Sequence, residues 1–216
     1  MRYDAAMFDL DGTLLDTLAD LAAAGNHALQ ALGRPTFAIE DYRTLVGQGV
    51  HQLFVDALGP DHRDLVDQAV DRFTGYYAEH RFDRTAPYAG IDPMLESLER
   101  SGNRLAVLSN KPHEATVDVV GRYFPGVAWA VVRGHKHGTA PKPDPTSARA
   151  TLTALGVEPG RCMYIGDTRV DMLTGKSAGM YTVGVSWGFR SVEELKAHGA
   201  DAIVDEPGQL LSLFQS

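Results

Sequence analysis

The chain has 216 residues, of which 44% are hydrophobic and 22% are charged. This composition is typical of a globular protein with one large domain, or with one domain and an insertion, and it excludes disordered and collagen-like chains. The 20 basic residues against 28 acidic ones give a net charge of −8, so the sequence lacks the basic footprint of a nucleic-acid-binding protein. No apolar run approaches the roughly 20 residues that span a bilayer, and we expect no membrane partner.

The N-terminal sequence and the cysteine content indicate a compartment. Residues 1–4 place an aspartate before any apolar stretch, which is not the pattern of a secretory signal peptide. Cys162 is the only cysteine and has no partner for a disulfide within the chain. These features favour a reducing compartment, and we expect a cytoplasmic protein.

Six short apolar runs predict buried strands, because strands of a parallel sheet are apolar on both faces. In chain order, these strands are residues 5–10, 104–109, 128–132, 162–166, 181–186 and 202–204. Helical patterns occupy most of the remaining intervals, at residues 93–100, 114–122, 146–155 and 170–178. The alternation predicts an α/β fold, a doubly wound parallel sheet (Rossmann-like core) with helices on both faces.

The alternation stops between Leu10 and Arg104, where no convincing strand is found. Apolar residues there follow helical spacing, first up to Gly33 and again over residues 65–77. A crossover of this length far exceeds the usual dozen or so residues. We therefore predict a helical cap at residues 17–84, inserted into a core formed by residues 1–16 and 85–216. A single domain with extra helices on one sheet face is the alternative.

Asp9 and Asp11 lie where the first predicted strand ends, in the sequence D-x-D-G-T. Open α/β sheets bind ligands at this carboxyl edge. Two acids placed there repel each other unless a cation neutralises them, and hard divalent ions prefer such oxygen ligands. Gly12 permits a sharp turn that presents backbone N–H groups to an anion. An ordinary Asp-Gly turn is the alternative, whereas an EF-hand is excluded because its glycine falls elsewhere in the loop.

A second acidic pair, Asp167 and Asp171, follows the fourth predicted strand. The two carboxylates are one helical turn apart and are able to face one cation. Taken alone, the pair is equally typical of an N-cap aspartate with a solvated neighbour. Because two acidic pairs follow separate strands, we predict that they share a metal site.

Two further segments suit a phosphate group. Ser109 and Asn110 follow the second predicted strand, and Lys142 is flanked by prolines that restrict its backbone. An ordinary turn is the alternative for Ser109 and Asn110, and a solvated surface lysine is the alternative for Lys142.

The order of these motifs, D-x-D-G-T, S-N, K-P and G-D-x-x-x-D, resembles the haloacid dehalogenase-like superfamily of phosphotransferases over nearly the whole chain. Residues 8–17, 20–29, 109–112 and 142–145 are similar to those of phosphoglycolate phosphatases. The helical insertion resembles the first type of cap in that superfamily, which would close over the site.

The resemblance implies roles for individual residues. Asp9 would be the nucleophile that forms an aspartyl-phosphate, and Asp11 the general acid and base. The phosphoryl group would be held by Ser109, Lys142, Gly12, Thr13 and Asn110. The resemblance also implies Mg²⁺ bound by Asp9, the carbonyl of Asp11 and Asp167, with Asp171 supporting the ion or Lys142.

The reaction that the resemblance implies is hydrolysis of a small phosphate monoester, with 2-phosphoglycolate favoured. Pyrophosphate, sugar phosphates and nucleotide monophosphates are alternative substrates. Dehalogenases and phosphonatases lack an acid at the position of Asp11, and β-phosphoglucomutases carry a histidine where this chain has Leu21, which disfavours a mutase. A non-catalytic phosphate-binding module is a further alternative, and the protein is expected to be a monomer or a homodimer.

Several other patterns have weaker support. Gly47, Gln48 and Gly49, with Arg43 nearby, would bring donors to a substrate carboxylate, although paired glycines are usually a simple turn. Residues 184–188 match the G-x-S-x-G motif of serine hydrolases, but no helix follows directly and the acid follows the histidine. His135 and His137 have a spacing that suits a transition metal but lack a third ligand nearby, so they are interpreted as solvated loop residues. His113 is interpreted as a helix-start residue. Contact with the substrate is the alternative for all three histidines.

Overall fold

The computed structural model describes residues 3–215 of the chain. Met1 and Arg2, which contribute to the expectation that there is no signal peptide, lie outside the described residues. The chain divides into two compact units, one formed by Met1–Leu15 and Pro87–Ser216 and the other by Asp16–Ala86. The role of residues 17–84 as a cap stays a prediction.

Eight strands occur within the described residues. They are β1 (Ala5–Phe8), β2 (Leu15–Asp16), β3 (Ala86–Pro87), β4 (Arg104–Pro112), β5 (Trp129–His135), β6 (Cys162–Gly166), β7 (Tyr181–Val185) and β8 (Ala202–Val204). Six of them form one parallel sheet in the order β5-β4-β1-β6-β7-β8. The predicted α/β fold with a parallel sheet and its six strands is confirmed. The two-residue strands β2 and β3, which pair with each other, were missed because they are too short to produce a pattern.

Ten α-helices accompany the strands in the same part of the chain. They are α1 (Leu18–Ala31), α2 (Tyr42–Leu45), α3 (Val50–Leu58), α4 (Val66–His80), α5 (Ile91–Arg100), α6 (His113–Tyr123), α7 (Thr146–Leu155), α8 (Arg169–Ala178), α9 (Val192–Ala197) and α10 (Gln209–Gln215). No described helix combines the length and the hydrophobicity needed to cross a membrane.

Strand β1 is the centre of the sheet and the point where its winding reverses. The chain passes from β1 to β4 and β5 on one side, and then to β6, β7 and β8 on the other. Parallel crossovers are right-handed, so the reversal distributes helices over both faces. It also opens a crevice at the carboxyl ends of β1, β4 and β6, which is where such sheets bind ligands.

The sheet interior is apolar on both faces, as continuous apolar strands require. All four residues of β1 and all five of β6 are buried. One of the clusters packed on the sheet joins Met7, Leu108 and Tyr164 of the strands with Leu152 of α7 and Ala178 of α8. The strands that carry the polar edge are therefore anchored in a buried hydrophobic core.

The Asp16–Ala86 unit is helical, and α1 packs on α4 within it. Helix α3, which the periodicity did not reveal, is short and lies between Gly49 and Gly59. It buries Leu53 and Phe54, and the Phe54 ring meets Phe73 of α4 edge-on at 5.9 Å. These apolar contacts give the unit a core of its own.

Candidate active site

The turn after β1 places Asp9 at the carboxyl edge of the sheet. Strand pairing ends at Phe8, two residues earlier than predicted, because the Leu10 carbonyl accepts hydrogen bonds from the N–H groups of Thr13 and Leu14 and so closes a turn. Asp9 itself is still held by its N–H, which donates to the Ile165 carbonyl at 2.9 Å. The nucleophile predicted from sequence is therefore buried at the end of the central strand.

Gly12 has a φ of +86°, the left-handed region that favours glycine. A Cβ atom built on Gly12 would lie 2.3 Å from Oδ2 of Asp167. The turn thus requires glycine for its backbone conformation and also for the close approach of Asp167. It brings the two acidic motifs of the sequence into contact.

Lys142 is buried and its ammonium group makes three hydrogen bonds. Its Nζ donates to Oδ1 of Asp9 at 2.8 Å, to Oδ1 of Asp171 at 2.7 Å and to the Leu108 carbonyl at 3.1 Å. Burial alone would lower the pKa of Lys142, but Asp171 and Asp9 raise it well above its usual range. The lysine is therefore a permanent positive charge, fully used by these three acceptors, because an ammonium has three donors.

Asp9 has a perturbed carboxyl group. Burial raises the pKa of Asp9 to about 7, and Asp171 adds to that rise, whereas Lys142 opposes it. Asp9 has to be ionised to act as a nucleophile, so Lys142 alone does not complete the charge balance around it.

Asp167 follows β6 and its side chain is fully buried. Its Oδ1 accepts from the Thr13 hydroxyl at 3.0 Å, and its Oδ2 accepts from the Phe189 N–H at 2.8 Å. Burial, together with Asp171 and Asp9, raises the pKa of Asp167 well above its usual range. Thr13, predicted to bind phosphate, thus contributes its side chain to Asp167.

The loop after β7 supports Asp167 and was missed in the sequence. A Cβ built on Gly188 would lie 2.2 Å from Cβ of Asp167, so the backbone of this loop touches the carboxylate residue directly. Trp187 secures the loop by donating from Nε1 to the Thr13 carbonyl at 3.0 Å. Gly188 is the last residue of the G-x-S-x-G match, a pattern that indicates serine chemistry and not a contact with Asp167.

Asp171 has a different set of contacts from Asp9 and Asp167. Thr168, not an aspartate, is the N-cap of α8, and Asp171 completes the capping box as the third helical residue. Its Oδ2 accepts from the Thr168 hydroxyl at 2.7 Å and the Thr168 N–H at 3.1 Å, while its Oδ1 accepts from Lys142. Asp171 therefore orients Lys142 and anchors the helix.

The carboxylates Asp9, Asp167 and Asp171 each offer an oxygen within 4.8 Å of the others. Three buried carboxylates face the single ammonium of Lys142, which contacts only Asp9 and Asp171. Such a donor set is all oxygen and carries excess negative charge, which suits a hard divalent cation. The residues present therefore fit the metal that the motifs predict, with Asp167 as the one carboxylate of these three that accepts no hydrogen bond from Lys142.

Asn110 locks the loop that carries Lys142. Its Nδ2 donates to the Lys142 carbonyl at 3.0 Å, and its Oδ1 accepts from the Lys142 N–H at 2.8 Å. Ser109 lies beside it, buried, and its hydroxyl accepts from the Lys111 N–H at 3.2 Å. The segments predicted to bind phosphate are thus adjacent to each other and to Asp9.

Asp11 lies at the rim of this cluster and its carboxylate faces a lysine that the sequence analysis did not single out. Both of its oxygens accept from Nζ of Lys111 at 2.9 Å. The Asp11 carboxylate is not among the three that converge on one point, so only its backbone carbonyl remains as the ligand that the motif predicts. Lys111 lies within residues 109–112 of the family resemblance, but the direction of its side chain is not readable from sequence.

The predicted substrate residues of the helical unit form contacts of their own. The Arg43 guanidinium donates to Glu40 at 2.7 Å. Gly47 and Gly49 have φ values of +112° and +89°, which agrees with the turn that glycines favour, and Gln48 lies between them. Their contribution to substrate binding stays a prediction.

The weaker sequence patterns do not form a second catalytic group. Ser186 donates to Asp205 at 2.6 Å, and His198 contacts the Glu194 carbonyl at 2.8 Å, so Ser186 is not paired with a histidine. His135 contacts the Thr139 carbonyl at 2.9 Å, and His113 accepts from the Gly134 N–H at 3.3 Å. His113 is the first residue of α6, as predicted, whereas His135 is the last residue of β5 and not a loop residue.

Comparison with known proteins gives consistent results. Residues 6–185 match the family model described as haloacid dehalogenase-like hydrolase. A Pseudomonas putida protein named phosphoglycolate phosphatase is 34% identical over 95% of this chain and 77% of its own length. A Pseudomonas aeruginosa protein named N-acetylmuramic acid 6-phosphate phosphatase is 33% identical over 99% of this chain and 96% of its own. A crystal structure from Lactobacillus delbrueckii subsp. bulgaricus, described provisionally as a phosphoglycolate phosphatase, has 36% identity and a TM-score of 0.94, covering 99% of each chain.

Proposed function

The chain belongs to the haloacid dehalogenase-like hydrolases and resembles their phosphoglycolate phosphatases, and on that premise we propose that it is a Mg²⁺-dependent phosphatase acting through Asp9. The observation that carries the proposal is the buried Asp9 carboxylate, held at 2.8 Å by Lys142 within a cluster of three aspartates. A site for mere phosphate capture has no use for a carboxylate nucleophile, since like charges repel the ligand.

In the first step, a carboxylate oxygen of Asp9 attacks phosphorus and forms an aspartyl-phosphate. The bond from phosphorus to the ester oxygen breaks, and Asp11 gives its proton to the departing alcohol. Lys142 keeps one oxygen of Asp9 fixed, which leaves the other to react. Asn110 keeps Lys142 in place through its two hydrogen bonds to the backbone of that residue.

In the second step, Asp11 takes a proton from water, and the resulting hydroxide attacks phosphorus and releases inorganic phosphate. Asp9 is regenerated as a carboxylate. Ser109 and the backbone amide of Asn110 hold the phosphoryl oxygens in both steps. The backbone amides of Gly12 and Thr13, which the sequence also assigned to the phosphoryl group, donate instead to the carbonyls of Leu15 and Leu10 within the turn.

Mg²⁺ would be held by the carboxylates of Asp9 and Asp167 and the carbonyl of Asp11, and when bound it would offset negative charge on the phosphoryl group. Thr13 and Phe189 fix Asp167 for this task through two neutral hydrogen bonds. Asp171 contributes indirectly, because its carboxylate accepts a hydrogen bond from Lys142 and so holds that ammonium in place.

For the substrate we propose a small phosphorylated metabolite, 2-phosphoglycolate. The support is the similarity to proteins named phosphoglycolate phosphatase, which include those of Pseudomonas putida and Aquifex aeolicus at 34% and 33% identity. N-acetylmuramic acid 6-phosphate is the second candidate, because the relative named for it matches 99% of this chain. Both compounds combine a phosphate ester with a carboxylic acid. We place the reaction in the cytoplasm, since the thiol of Cys162 is buried and free.

The test is phosphate release from both esters, with pyrophosphate, a sugar phosphate and a nucleotide monophosphate alongside, in magnesium and in chelator. We expect Mg²⁺-dependent release that is fastest on 2-phosphoglycolate. Asp9→Asn should abolish it, while Asp118→Asn, an exposed aspartate of α6, should leave it unchanged. If Asp9→Asn kept full turnover, the covalent mechanism would be wrong.

The role of Asp11 has a separate readout. Asp11→Asn should slow turnover about 10²- to 10⁴-fold, the usual contribution of a general acid–base catalyst. Phospho-enzyme should accumulate in this variant if the second step is impaired, and acid-quenched samples would reveal it. Equal, slow release from every ester in the panel would instead refute the substrate assignment and leave the phosphatase assignment intact.

A further inference from the structure

Lys111 is a buried lysine that points at the rim of the site. Its side chain is 3% exposed, against 18% for its partner Asp11, and its Nζ lies 2.9 Å from both Asp11 carboxylate oxygens. It is a separate cation from Lys142, which contacts Asp9 and Asp171. The carboxyl edge of the sheet therefore presents two ammonium groups to different carboxylates.

The backbone of Lys111 is fixed on both sides, so the direction of its side chain is built into the fold. Its N–H donates to the Ser109 hydroxyl at 3.2 Å, and its carbonyl accepts from the Thr116 hydroxyl at 3.2 Å. Thr116 is buried in α6. Lys111 is consequently held over Asp11 by β4 and α6, and it is not a surface lysine that has folded back by chance.

The contact with Lys111 has a consequence for the proposed reaction. The ester oxygen of the leaving group has to come within hydrogen-bonding distance of an Asp11 oxygen to receive its proton. Both Asp11 oxygens already accept from Lys111. A substituent one or two bonds beyond the ester oxygen then lies within a few ångströms of the Lys111 ammonium.

The charge of that substituent decides how readily Lys111 gives up its contact with Asp11. An anionic substituent offers Lys111 a new charged partner when Asp11 turns to the ester oxygen. A neutral substituent offers much less, because a hydrogen bond between two charged groups is about twice as strong as a neutral one. Turning Asp11 away without a replacement would cost Lys111 both of its hydrogen bonds to a carboxylate while its ammonium stays buried, which is unfavourable.

We propose that Lys111 is a specificity-determining residue, which exchanges its contact with Asp11 for an anionic group on the leaving side of the substrate. For 2-phosphoglycolate this group is the carboxylate adjacent to the ester carbon. The inference rests on the proposed function and adds to it the chemical class of leaving group that the site selects.

The experiment compares two nearly isosteric esters, 2-phosphoglycolate and its neutral amide, at saturating Mg²⁺. The measured quantity is the ratio of their kcat/KM values. We expect wild type to prefer the carboxylate, and Lys111→Met to reduce that preference about 10- to 100-fold, as loss of a charged hydrogen bond predicts. Lys111→Arg should retain more of the preference than Lys111→Met, since it keeps the charge. Lys196→Met, which removes an exposed lysine of α9, is the matched control and should not change it.

The ratio is taken within one preparation, so any partial loss of folded protein in Lys111→Met cancels. An unchanged preference in Lys111→Met would overturn the inference while leaving the phosphatase assignment in place. A wild type that hydrolyses the amide as well as the acid would overturn it too. If wild type hydrolyses neither ester, the proposed function fails, and the specificity assignment fails with it.

Discussion

Gly12 offers the most direct test of the site geometry, because one added methyl group would collide with Asp167, the proposed metal ligand. Its φ of +86° is unfavourable for any residue with a side chain, at a cost of about 1–2 kcal/mol. In Gly12→Ala the new Cβ would also lie 2.3 Å from Oδ2 of Asp167 and 2.9 Å from a ring carbon of Phe189. Overpacking of this kind costs about a further 1–3 kcal/mol, so we expect a loss of about 2–5 kcal/mol in the free energy of unfolding.

Gly33→Ala is the matched control, because Gly33 has a φ of +66° but no atom within 4 Å of the added Cβ. Urea unfolding of the two variants should show a smaller loss for Gly33→Ala, about 1–2 kcal/mol from strain alone. The concentration of Mg²⁺ needed for half-maximal activity should rise in Gly12→Ala only, since Asp167 is displaced. Equal stability losses in the two variants, with unchanged Mg²⁺ dependence, would refute the proposed contact between the turn and Asp167.

Three further predictions concern buried charge. Lys142→Met should lower the free energy of unfolding by about 3–5 kcal/mol, because it leaves Asp9 and Asp171 without their counter-ion. Urea unfolding measures this loss, with the exposed-lysine variant Lys196→Met as the control. In chelator, the same free energy should fall as pH rises from about 4 to about 7, with Asp9 contributing up to about 1.4 kcal/mol per pH unit. The sign follows from a folded-state pKa of about 7 for Asp9 against an ordinary 3.8, since the folded state then binds more protons. The raised pKa of Asp167 acts in the same direction, so Asp9→Asn should make the profile less steep. Asp20→Ala should cost about 2–4 kcal/mol by thermal unfolding, because its buried carboxylate accepts from both the N–H and the hydroxyl of Thr85.

The inner strands of the sheet were predictable because they are buried on both faces and so leave continuous apolar runs. Their ends were less predictable. The second strand extends beyond Ser109 to Pro112, and the third begins at Trp129 and extends to His135. Edge position explains the latter, since β5 is half-exposed and its apolar run is correspondingly short. Polar residues after a strand still indicated the carboxyl edge, because parallel pairing brings all such ends together.

Side-chain direction was not predictable from the same patterns. Lys111 and Lys142 are both lysines next to proline in loop-like sequence, yet one faces Asp11 and the other faces Asp9. Which carboxylate each reaches depends on contacts of the backbone with distant residues, such as the bonds between Asn110 and Lys142. Such contacts carry no periodicity, so only the folded chain reveals them.

The same contacts explain why this site needs more than one kind of positive charge. Lys142 has three donors, and all three are directed at Asp9, Asp171 and a backbone carbonyl, so none remains for Asp167. The partners of Asp167 in the described structure include a hydroxyl and an amide, which orient its charge without cancelling it. A divalent cation held by the carboxylates of Asp9 and Asp167 would supply the missing charge. Lys111 meanwhile contacts Asp11 and Lys142 contacts Asp9, so the nucleophile and the acid–base residue are each held by a lysine of their own.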